Sequence, residues 1–352
     1  MRSKHLRLGA ALATLICLLA TACATNTPGG DTPDPDNGDF TTVTVGLAAQ
    51  LPPYAPLLVG DAFGEFQREG IKVDYQLAPS SDNLVLLATG GIDVLLGGIS
   101  AAVFNASANT DVRVVAPFSP GPGTSVPYKG GLWVSNKLTG GASFNPGMLN
   151  GVTIGTQIGD GAVVSAVINQ QLQNAGLDIT DVKFQQMAAA DVFVALESGA
   201  IDAGWLSDPV WIDAEADPDF PATFAFGFPP DAVQGAVMYG PNLRNTDPAS
   251  GEAFLRAYYA TIKKYLQGNY HENTSVVSVL AAFAGVSDDE IKRLPPLQFS
   301  ALLGGKFTES LSIHELQKVY ALKKGILQYD TPLSDDEVLD MQFSDRALDA
   351  LG

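Results

Sequence analysis

From residue 42 onwards, apolar runs rich in β-branched residues alternate with amphipathic stretches along most of the chain. Short runs of this kind predict strands, and apolar residues that recur every three or four positions predict helices. Strands are predicted at residues 43–47, 71–77, 92–96, 112–116, 152–155, 182–186 and 201–206, and helices at 56–68, 82–89, 100–107, 162–175 and 191–198. Strands separated by helices of this length indicate βαβ units, so the predicted fold class is α/β.

Residues beyond Pro248 follow a different pattern, in which apolar side chains keep helical spacing. Phe254, Tyr258 and Ile262, for example, recur every four positions, as they would on one face of a helix. The C-terminal part of the chain is therefore predicted to be a mostly helical tail, and no third sheet is needed.

One short segment of the chain occurs twice. Residues 87–93 read LATGGID and residues 196–202 read LESGAID. In each copy a helix would end at a glycine, Gly90 or Gly199, in the left-handed conformation that stops helices, and Ile-Asp would open the next strand. Because both copies occupy the same place in a strand–helix–strand series, they predict two related α/β lobes.

The composition of the chain argues against several classes of protein. Hydrophobic residues make up 46% of its 352 residues and charged residues 16%, which is typical of a folded globular protein and not of a disordered one. A net charge of −18 repels phosphate backbones, so no nucleic-acid binding is expected. Two cysteines and three histidines argue against a Cys/His metal cluster. The glycine-rich segment 155–161 lacks both the P-loop ending and the G-x-G-x-x-G fingerprint, so no cofactor is expected.

The N-terminus has the features of a bacterial export signal. Three basic residues precede an apolar stretch at residues 8–19, and small residues lead up to Cys23. This arrangement resembles a lipobox, in which residues 1–22 are removed as a signal peptide and Cys23 is acylated. The alternative is an ordinary secretory peptide that is cleaved near Ala22, with Cys23 incidental.

The segment after Cys23 consists mainly of Asn, Thr, Pro, Gly and Asp, and it has no large apolar residue before Phe40. Such a composition is typical of an extended, solvated tether, which we expect over residues 23–40. A tether directly after an acylated cysteine would hold the folded part of the chain at a lipid bilayer. The sequence therefore predicts an exported protein, anchored through Cys23 to the extracytoplasmic face of the bacterial cell membrane.

Beyond the N-terminus, a series of short motifs resembles one family in order and spacing. The motifs are Gly46-Leu47, Tyr54-Ala55-Pro56-Leu57, Gly91-Ile92-Asp93, Gly97-Gly98-Ile99-Ser100-Ala101, Gly199-Ala200-Ile201-Asp202, and Trp205 with Asp208-Pro209. Together with the lipobox and the tether, they resemble the extracytoplasmic solute-binding proteins of ABC importers, in the NMT1-like branch that serves nitrate, taurine, alkanesulfonates and thiamine-precursor pyrimidines. The resemblance covers about residues 42–270, and the helical tail matches only in kind.

The resemblance implies the type II fold of periplasmic binding proteins, with two α/β lobes that close on a ligand about a hinge. By analogy, lobe one would comprise residues 41–137 and 231–352, and lobe two residues 138–230. The resemblance also implies a monomer that is not an enzyme, captures a small organic solute and delivers it to an ABC permease in the membrane. The candidate ligands are a sulfonate, nitrate, a pyrimidine or another small solute.

Ligands of such folds bind where loops follow the carboxyl ends of strands, and these loops supply the candidate site residues. They are Gln50, Leu51, Pro53 and Tyr54 after the first strand, Gly98 and Ser100 after the third, Thr156, Gln157 and Gly159 in the glycine-rich loop of the second lobe, and Trp205 and Asp208 at the end of its last predicted strand. The polar side chains among them offer hydrogen-bond donors and acceptors, and the glycines let a ligand approach the backbone.

Several of these loop residues also have a plain structural interpretation. Ser100 and Asp160 are suited to cap helices without a ligand, and Trp205 is suited to fill the core. Asp208 before Pro209 has the form of an N-cap with proline at the first helical position. No lysine or arginine lies in these loops, which argues against a formal salt bridge to the ligand. An oxyanion held by helix N-termini stays open, and a neutral group fits at least as well.

Two other functions stay open on the same sequence. A yeast-type pyrimidine synthase shares the implied fold, which leaves open an enzyme that acts on a pyrimidine-like small molecule. The cysteine-rich motif of that enzyme is absent here, as are a G-x-S-x-G elbow and an H-E-x-x-H motif. The second alternative is a surface sensor or adhesin that uses the same clamp. The loop at residues 117–130 is interpreted either as a lid near the hinge or as a surface excursion.

Overall fold

The computed structural model describes residues 40–48, 52–123, 127–157, 161–230, 232–307 and 311–352. The expected signal peptide, Cys23 and the tether up to residue 39 lie outside these residues. Asp39–Gly352 group into one compact unit. Within the described ranges, no helix has both the length and the apolar character needed to cross a bilayer.

Two five-stranded sheets carry the fold. The first sheet contains β1 (Thr41–Leu47), β2 (Ile71–Leu77), β3 (Val94–Gly98), β4 (Arg113–Pro120) and β10 (Val233–Tyr239). Its strand order is β2-β1-β3-β10-β4. β1 pairs in parallel with β2 and β3, whereas β10 runs antiparallel between β3 and β4.

The second sheet repeats this arrangement. It contains β5 (Gly131–Ser135), β6 (Thr153–Thr156), β7 (Lys183–Gln186), β8 (Ala203–Leu206) and β9 (Ala222–Gly227), in the order β7-β6-β8-β5-β9. β6 pairs in parallel with β7 and β8, and β5 runs antiparallel between β8 and β9. The predicted α/β class with two related lobes is therefore confirmed.

Three strands, β5, β9 and β10, are not predicted by the sequence pattern, and all three pair in antiparallel fashion. Gly235 interrupts the apolar pattern of β10, and a side chain there would place its Cβ atom 2.7 Å from the carbonyl oxygen of Gly97 in β3.

The expected lobe boundary after residue 137 assigns β5 to lobe one, whereas its pairing places it in the second sheet. The extent of the lobes as separate domains stays a prediction.

Helices connect the strands of both sheets. They are α1 (Ala55–Ala62), α2 (Glu65–Arg68), α3 (Ser80–Thr89), α4 (Ala101–Asn109), α5 (Asn136–Thr139), α6 (Val163–Gln173), α7 (Ala189–Glu197) and α8 (Val210–Ala216). The prediction of one helix over residues 56–68 is wrong. Gly64 has a left-handed backbone, with φ of +77°, and it separates α1 from α2.

The predicted helical tail is confirmed beyond β10. It contains α9 (Pro248–Tyr265), α10 (Thr274–Ala284), α11 (Asp288–Arg293), α12 (Ile313–Leu322), α13 (Asp335–Val338) and α14 (Gln342–Leu351). α9 packs against the first sheet, because Phe254 and Tyr258 are fully buried in one apolar cluster with Val43 and Val45 of β1.

One helix of the tail also packs against the helix that follows β6 in the second sheet. Leu316 of α12 shares an apolar cluster with Leu172 of α6. Just after α12, the Lys323 ammonium group donates a hydrogen bond to the Val182 carbonyl at 3.3 Å and lies 4.8 Å from the centre of the Phe184 ring. The tail therefore contacts elements of both sheets.

Both glycines of the repeated segment have the predicted left-handed backbone. The φ angle is +75° at Gly90 and +71° at Gly199. Gly90 caps α3 and Gly199 follows α7, and in each copy the next strand begins within a few residues. The repeat is thus a helix stop that occurs once before β3 and once before β8.

Replacement of Gly199 by alanine should lower the free energy of unfolding by about 1 kcal/mol, because L-residues adopt the left-handed region at a cost of this size. Nothing lies within 4 Å of the added Cβ, so the loss reports backbone conformation alone. Gly90→Ala should cost more, since its Cβ would also lie 2.9 Å from Asn242 Oδ1. Urea unfolding measures both changes. Gly304→Ala, in open space without a left-handed backbone, should cost nothing, and equal losses in all three variants would contradict the interpretation.

Candidate ligand-binding site

The structure places the described candidate residues at the carboxyl ends of β1, β3, β6 and β8. Those of the first sheet are Pro53, Tyr54, Gly98 and Ser100, and those of the second sheet are Thr156, Gln157, Trp205 and Asp208. Parallel strands end at the same edge of a sheet, so the loops of each sheet lie side by side. Gln50, Leu51, Gly159 and Asp160 lie outside the described residues. Contact of any candidate with a ligand stays a prediction.

Tyr54 joins the loops that follow β1 and β3. Its hydroxyl accepts a hydrogen bond from the Ala48 amide at 3.3 Å and donates one to the Leu96 carbonyl at 3.4 Å. Its ring is buried against Phe118, with 5.2 Å between the ring centres. Burial raises the pKa of Tyr54, and the hydrogen bond from Ala48 offsets this only in part, so the hydroxyl stays protonated at neutral pH. Pro53 precedes it in a 3-10 turn and is half-buried.

A buried asparagine that the sequence analysis missed lies at the same edge. The Nδ2 group of Asn83 in α3 donates hydrogen bonds to the carbonyls of Leu47 and Ala78, at 3.1 and 3.0 Å. Leu47 ends β1, and Ala78 follows β2. A polar residue near the start of a helix has the pattern of an exposed position, so nothing local marks Asn83. The repeat could have identified it, because the matching position in the second copy is an apolar residue, Val192, which is the type expected at a buried position.

The two sheets meet where α4 and α6 begin. The Ala101 amide, at the start of α4, donates a hydrogen bond to the carbonyl of Gly161, just before α6, at 2.8 Å. Beside this contact, a Cβ atom on Gly98 would lie 3.8 Å from Val163 Cγ2. Ser100 is the N-cap residue of α4, but its hydroxyl makes no capping hydrogen bond. The loops after β3 and β6 are therefore in contact at this point.

Among the described residues, no side chain caps the N-terminus of α6. Ala162 occupies the N-cap position, and within the described residues neither the Val163 amide nor the Val164 amide has a hydrogen-bond partner. Ser165 in the first turn is 2% exposed, and its hydroxyl oxygen lacks a partner there too. Free amides and the helix dipole make such a helix start favourable for an anionic group.

Hydrogen bonds connect the loops that follow β6, β7 and β8. The Ser207 hydroxyl donates a hydrogen bond to Gln157 Oε1 at 2.8 Å. The main-chain carbonyl of Gln157 accepts a second one from Gln186 Nε2 at 3.1 Å. The Gln157 side chain is exposed, whereas Thr156, the last residue of β6, is buried. Gln157 is thus the residue that holds three strand ends together at this edge.

Trp205 is packed as a core residue of β8. It is 5% exposed and shares an apolar cluster with Leu132 and Ile154 of the neighbouring strands. Its ring meets Phe228 edge-on, with 5.1 Å between the ring centres. Phe228 lies in the connection from β9 back to the first sheet. Trp205 therefore packs as the structural interpretation of this residue predicts. A role in stacking against a ligand stays a prediction.

Asp208 lies just before α8, and its predicted role as the N-cap residue is wrong. Pro209 holds the N-cap position. The Asp208 carboxylate instead accepts hydrogen bonds from Trp211 Nε1 at 2.6 Å and from the Tyr128 hydroxyl at 2.9 Å. Burial raises the pKa of Asp208, and these two hydrogen bonds offset the effect only in part.

Tyr128, which the sequence analysis missed, fixes the connection between β4 and β5 to α8. Its ring packs edge-on against Trp211, with 5.3 Å between the ring centres. Burial, the charge of Asp208 and the hydrogen bond to it all raise the pKa of Tyr128. Burial and the same charge raise the pKa of Tyr270 in the tail. The first part of the loop expected at residues 117–130 belongs to β4. Tyr128 could have been singled out in the sequence as an aromatic residue among the glycines and prolines of this loop.

Asp208→Asn should change how stability depends on pH. The pKa of Asp208 in the folded protein is raised above the unfolded value of about 3.9, so the folded protein holds this proton more tightly. The proton on Asp208 therefore stabilises the folded wild type at low pH. This stabilisation is lost as the pH rises above the pKa that Asp208 has in the unfolded protein. Measured by urea unfolding, the stability of the wild type relative to Asp208→Asn should increase as the pH falls from 7 towards 4.

Asp178→Asn is the control with the opposite sign. Hydrogen bonds from the Thr180 side chain and amide lower the pKa of Asp178. The ionised Asp178 carboxylate therefore stabilises the folded protein above the pKa that it has in the unfolded protein. This stabilisation is lost as the pH falls through the pKa of Asp178 in the folded protein. The advantage of the wild type over Asp178→Asn should therefore shrink only below about pH 4. Parallel pH trends for the two variants would argue against the assignment to Asp208.

Solved structures of three proteins share the fold over most of their length. The alkanesulfonate-binding protein SsuA from Xanthomonas axonopodis pv. citri, bound to MOPS, has a TM-score of 0.59 at 17% identity, with 84% of this chain and 97% of that chain covered. The periplasmic nitrate-binding protein NrtA from Synechocystis PCC 6803 has a TM-score of 0.62 at 15% identity, with 89% of each chain covered. The desulfurization enzyme DSZB has a TM-score of 0.58 at 15% identity, with 88% and 99% covered. The type II fold of periplasmic binding proteins is thereby confirmed.

A family model identifies the chain itself. No curated protein sequence matches this chain. The model described as NMT1/THI5 like matches residues 52–258, more than half of the chain, and this range includes every described candidate residue. The match starts just before α1 and ends within α9, so it covers the second sheet entirely and the first sheet apart from β1. This chain belongs to the NMT1/THI5-like family.

Proposed function

We propose that the protein is the solute-binding component of an ABC importer. It captures a small organic solute between the two sheets and delivers the solute to a membrane permease. Support comes from the family match and from the fold that the chain shares with an alkanesulfonate-binding and a nitrate-binding protein. The protein acts as a monomer, by binding and release, and without chemical turnover.

The observation that carries the proposal is the set of free polar groups at the start of α6. The amides of Val163 and Val164 and the hydroxyl of Ser165 are without partners in the described part of the chain. Val163 also lies across from Gly98 of the first sheet. Helix N-termini bind anionic groups without a cation, which agrees with the lack of lysine and arginine in the candidate loops. The arrangement favours a ligand with an oxyanion, such as a sulfonate, over a neutral pyrimidine.

Contacts between the sheets would enclose such a ligand. The hydrogen bond from Ala101 to Gly161 and the ion pair between Arg293 and Asp213, at 3.2 Å, each join an element of the first sheet or the tail to one of the second. Arg293 and Asp213 are exposed, so their ion pair contributes little stability. Closure about a hinge excludes water and strengthens each polar contact to the ligand.

Thermal unfolding with added solutes tests this proposal. A ligand present at a hundred times its Kd stabilises the folded state by about 2.7 kcal/mol, which raises the unfolding midpoint. The probes are MOPS, methanesulfonate and nitrate, and an aminopyrimidine serves for comparison. We expect a higher midpoint with a sulfonate and no change with the pyrimidine. A response to the pyrimidine alone would refute the oxyanion class, and no response to any probe would refute solute binding of this kind.

Gly98→Leu should abolish the midpoint shift with a sulfonate. A Cβ at this position would lie 3.8 Å from Val163 Cγ2, so the rest of a leucine side chain would fill the space in front of α6. Gly304→Leu is the matched control, because nothing lies within 4 Å of an added Cβ there and the residue lies outside the candidate loops. A sulfonate response that survives in Gly98→Leu would show that the ligand binds elsewhere.

Catalysis on this fold is the alternative to be tested alongside. DSZB is a desulfurization enzyme, and one of its structures holds biphenyl-2-sulfinic acid. We expect this protein to return a bound sulfonate or sulfinate unchanged. Mass spectrometry of the solute after incubation would reveal any conversion, and conversion would favour an enzyme. Binding without conversion and without an associated permease would favour the surface sensor or adhesin.

We also propose that the protein is exported and held at the membrane by lipid on Cys23. The support is the N-terminal pattern of basic, apolar and small residues and the tether composition of residues 23–40. One acyl chain binds a bilayer only weakly, whereas two or more anchor a protein firmly. The tether would leave the folded part free to reach a permease in the same membrane.

Cys23→Ala should move the protein from the membrane fraction to the soluble fraction of the exporting cell. The acyl chains supply the anchoring free energy, and the substitution removes their attachment site. Cell fractionation measures the distribution, and mass spectrometry of the wild-type N-terminus should find an acylated cysteine. An unmodified Cys23, or an unchanged distribution, would favour the ordinary secretory peptide.

A further inference from the structure

Asn83 is buried with one of its polar atoms unpartnered. The residue is 0% exposed, and its Oδ1 atom has no hydrogen-bond partner, a state that only Ser165 shares among the side chains of the described residues. Both Nδ2 donors are used, by the carbonyls of Leu47 and Ala78. The reverse orientation of the amide would set oxygen against two carbonyl oxygens, so its partners fix it. A buried acceptor without a partner lowers stability.

Asn83 packs closely against a glycine of the first sheet. A Cβ atom on Gly46 of β1 would lie 2.7 Å from Ile92 Cδ1 and 2.9 Å from Asn83 Cγ. The strand, the Ile-Asp segment and α3 therefore meet at this glycine. This packing accounts for the size of the residue at position 83 but not for its polarity.

The second copy of the repeat has the same packing with an apolar residue. Val192 matches Asn83 when the two Ile-Asp segments are aligned. A Cβ atom on Gly155 of β6 would lie 2.8 Å from Ile201 Cδ1 and 3.6 Å from Val192 Cγ1. A valine thus fills the place without burying an unpartnered acceptor. The fold of the repeat does not require the asparagine.

Asn83 acts at the point where the first candidate loop leaves β1. The Leu47 carbonyl, the last of the strand, accepts its hydrogen bond, and the next backbone group, the Ala48 amide, donates to the Tyr54 hydroxyl. Tyr54 is bonded in turn to the Leu96 carbonyl in β3. Two consecutive backbone groups are therefore held by two buried side chains, one reaching towards β2 and the other towards β3.

We infer that Asn83 is a positioning residue for ligand binding. It holds the end of β1, and through the Ala48 amide also Tyr54, in the geometry that receives the ligand. The inference rests on the proposed function, since it requires that this loop contacts the ligand. Asn83 acts through the backbone and does not touch the ligand. The unpartnered Oδ1 is a stability cost of the kind that functional sites retain.

Asn83→Leu tests the inference, with Asn169→Leu as the matched control. Asn169 in α6 is also buried, but its Oδ1 accepts a hydrogen bond from the Ile179 amide at 2.9 Å. Asn83→Leu removes the unpartnered acceptor and leaves the Leu47 carbonyl bonded to the Ala78 amide at 3.1 Å, and the Ala78 carbonyl, which loses its donor, belongs to a half-buried residue that water can reach. Its urea unfolding midpoint should therefore stay unchanged. Asn169→Leu leaves a buried amide unpaired and should lower the midpoint.

Hydrogen exchange reports the positioning without any ligand. The amides of Ala48 and Ala78 should exchange about fivefold faster in Asn83→Leu than in the wild type, because the strand end is held less firmly. They should exchange at the wild-type rate in Asn169→Leu. Unchanged exchange in Asn83→Leu would overturn the inference. If that variant does not fold, Asn83→Val, with the residue of the second copy, takes its place.

Affinity for MOPS separates this inference from the proposed function. Calorimetry should give a Kd about tenfold higher for Asn83→Leu, because a displaced loop weakens every contact it makes, and an unchanged Kd for Asn169→Leu. Wild-type affinity in Asn83→Leu would overturn the positioning role. Failure of the wild type to bind MOPS would count against the proposed ligand class, and the exchange rates would still decide whether Asn83 holds the strand end.

Discussion

The backbone hydrogen bond from Ala101 to Gly161 links the two sheets at the loops that carry candidate residues, and the interpretation of the site depends on it. Glycine suits position 161 because its φ is +73° and an added Cβ would lie 3.0 Å from the Ala101 side chain. The contact brings the start of α4 next to the start of α6, and with them the loops that follow β3 and β6.

Hydrogen bonds to the backbone and between side chains connect the loops that carry the candidate residues. Tyr54 ties the loops of β1 and β3, Gln157 ties those of the second sheet, and Asp208 receives neutral donors from α8 and from the β4–β5 connection. Salt screens exposed ion pairs strongly and buried hydrogen bonds hardly at all. Ionic strength therefore acts mainly on exposed ion pairs such as Arg293 with Asp213, and it weakens the hydrogen bonds of these loops much less.

Local pattern is enough to find the parallel strands, because a βαβ unit places each strand, helix and next strand in sequence. The positions of Tyr54 and Gln157 at strand ends could be predicted for that reason. β10 could not be predicted from the local pattern, because its partners β3 and β4 lie far away in the sequence and Gly235 interrupts its apolar residues. Asn83 and Tyr128 were missed because each takes its role from partners that only the folded chain brings near.

The apolar contact between α12 and α6 has a consequence for the energetics of opening. The tail also packs on the first sheet through α9, so a separation of the sheets in which α12 stays with α9 would move Leu316 away from Leu172. Exposure of apolar surface to water increases the heat capacity of a protein. An open form would therefore differ from the closed form in heat capacity, and the balance between the two forms would shift with temperature as well as with ligand concentration.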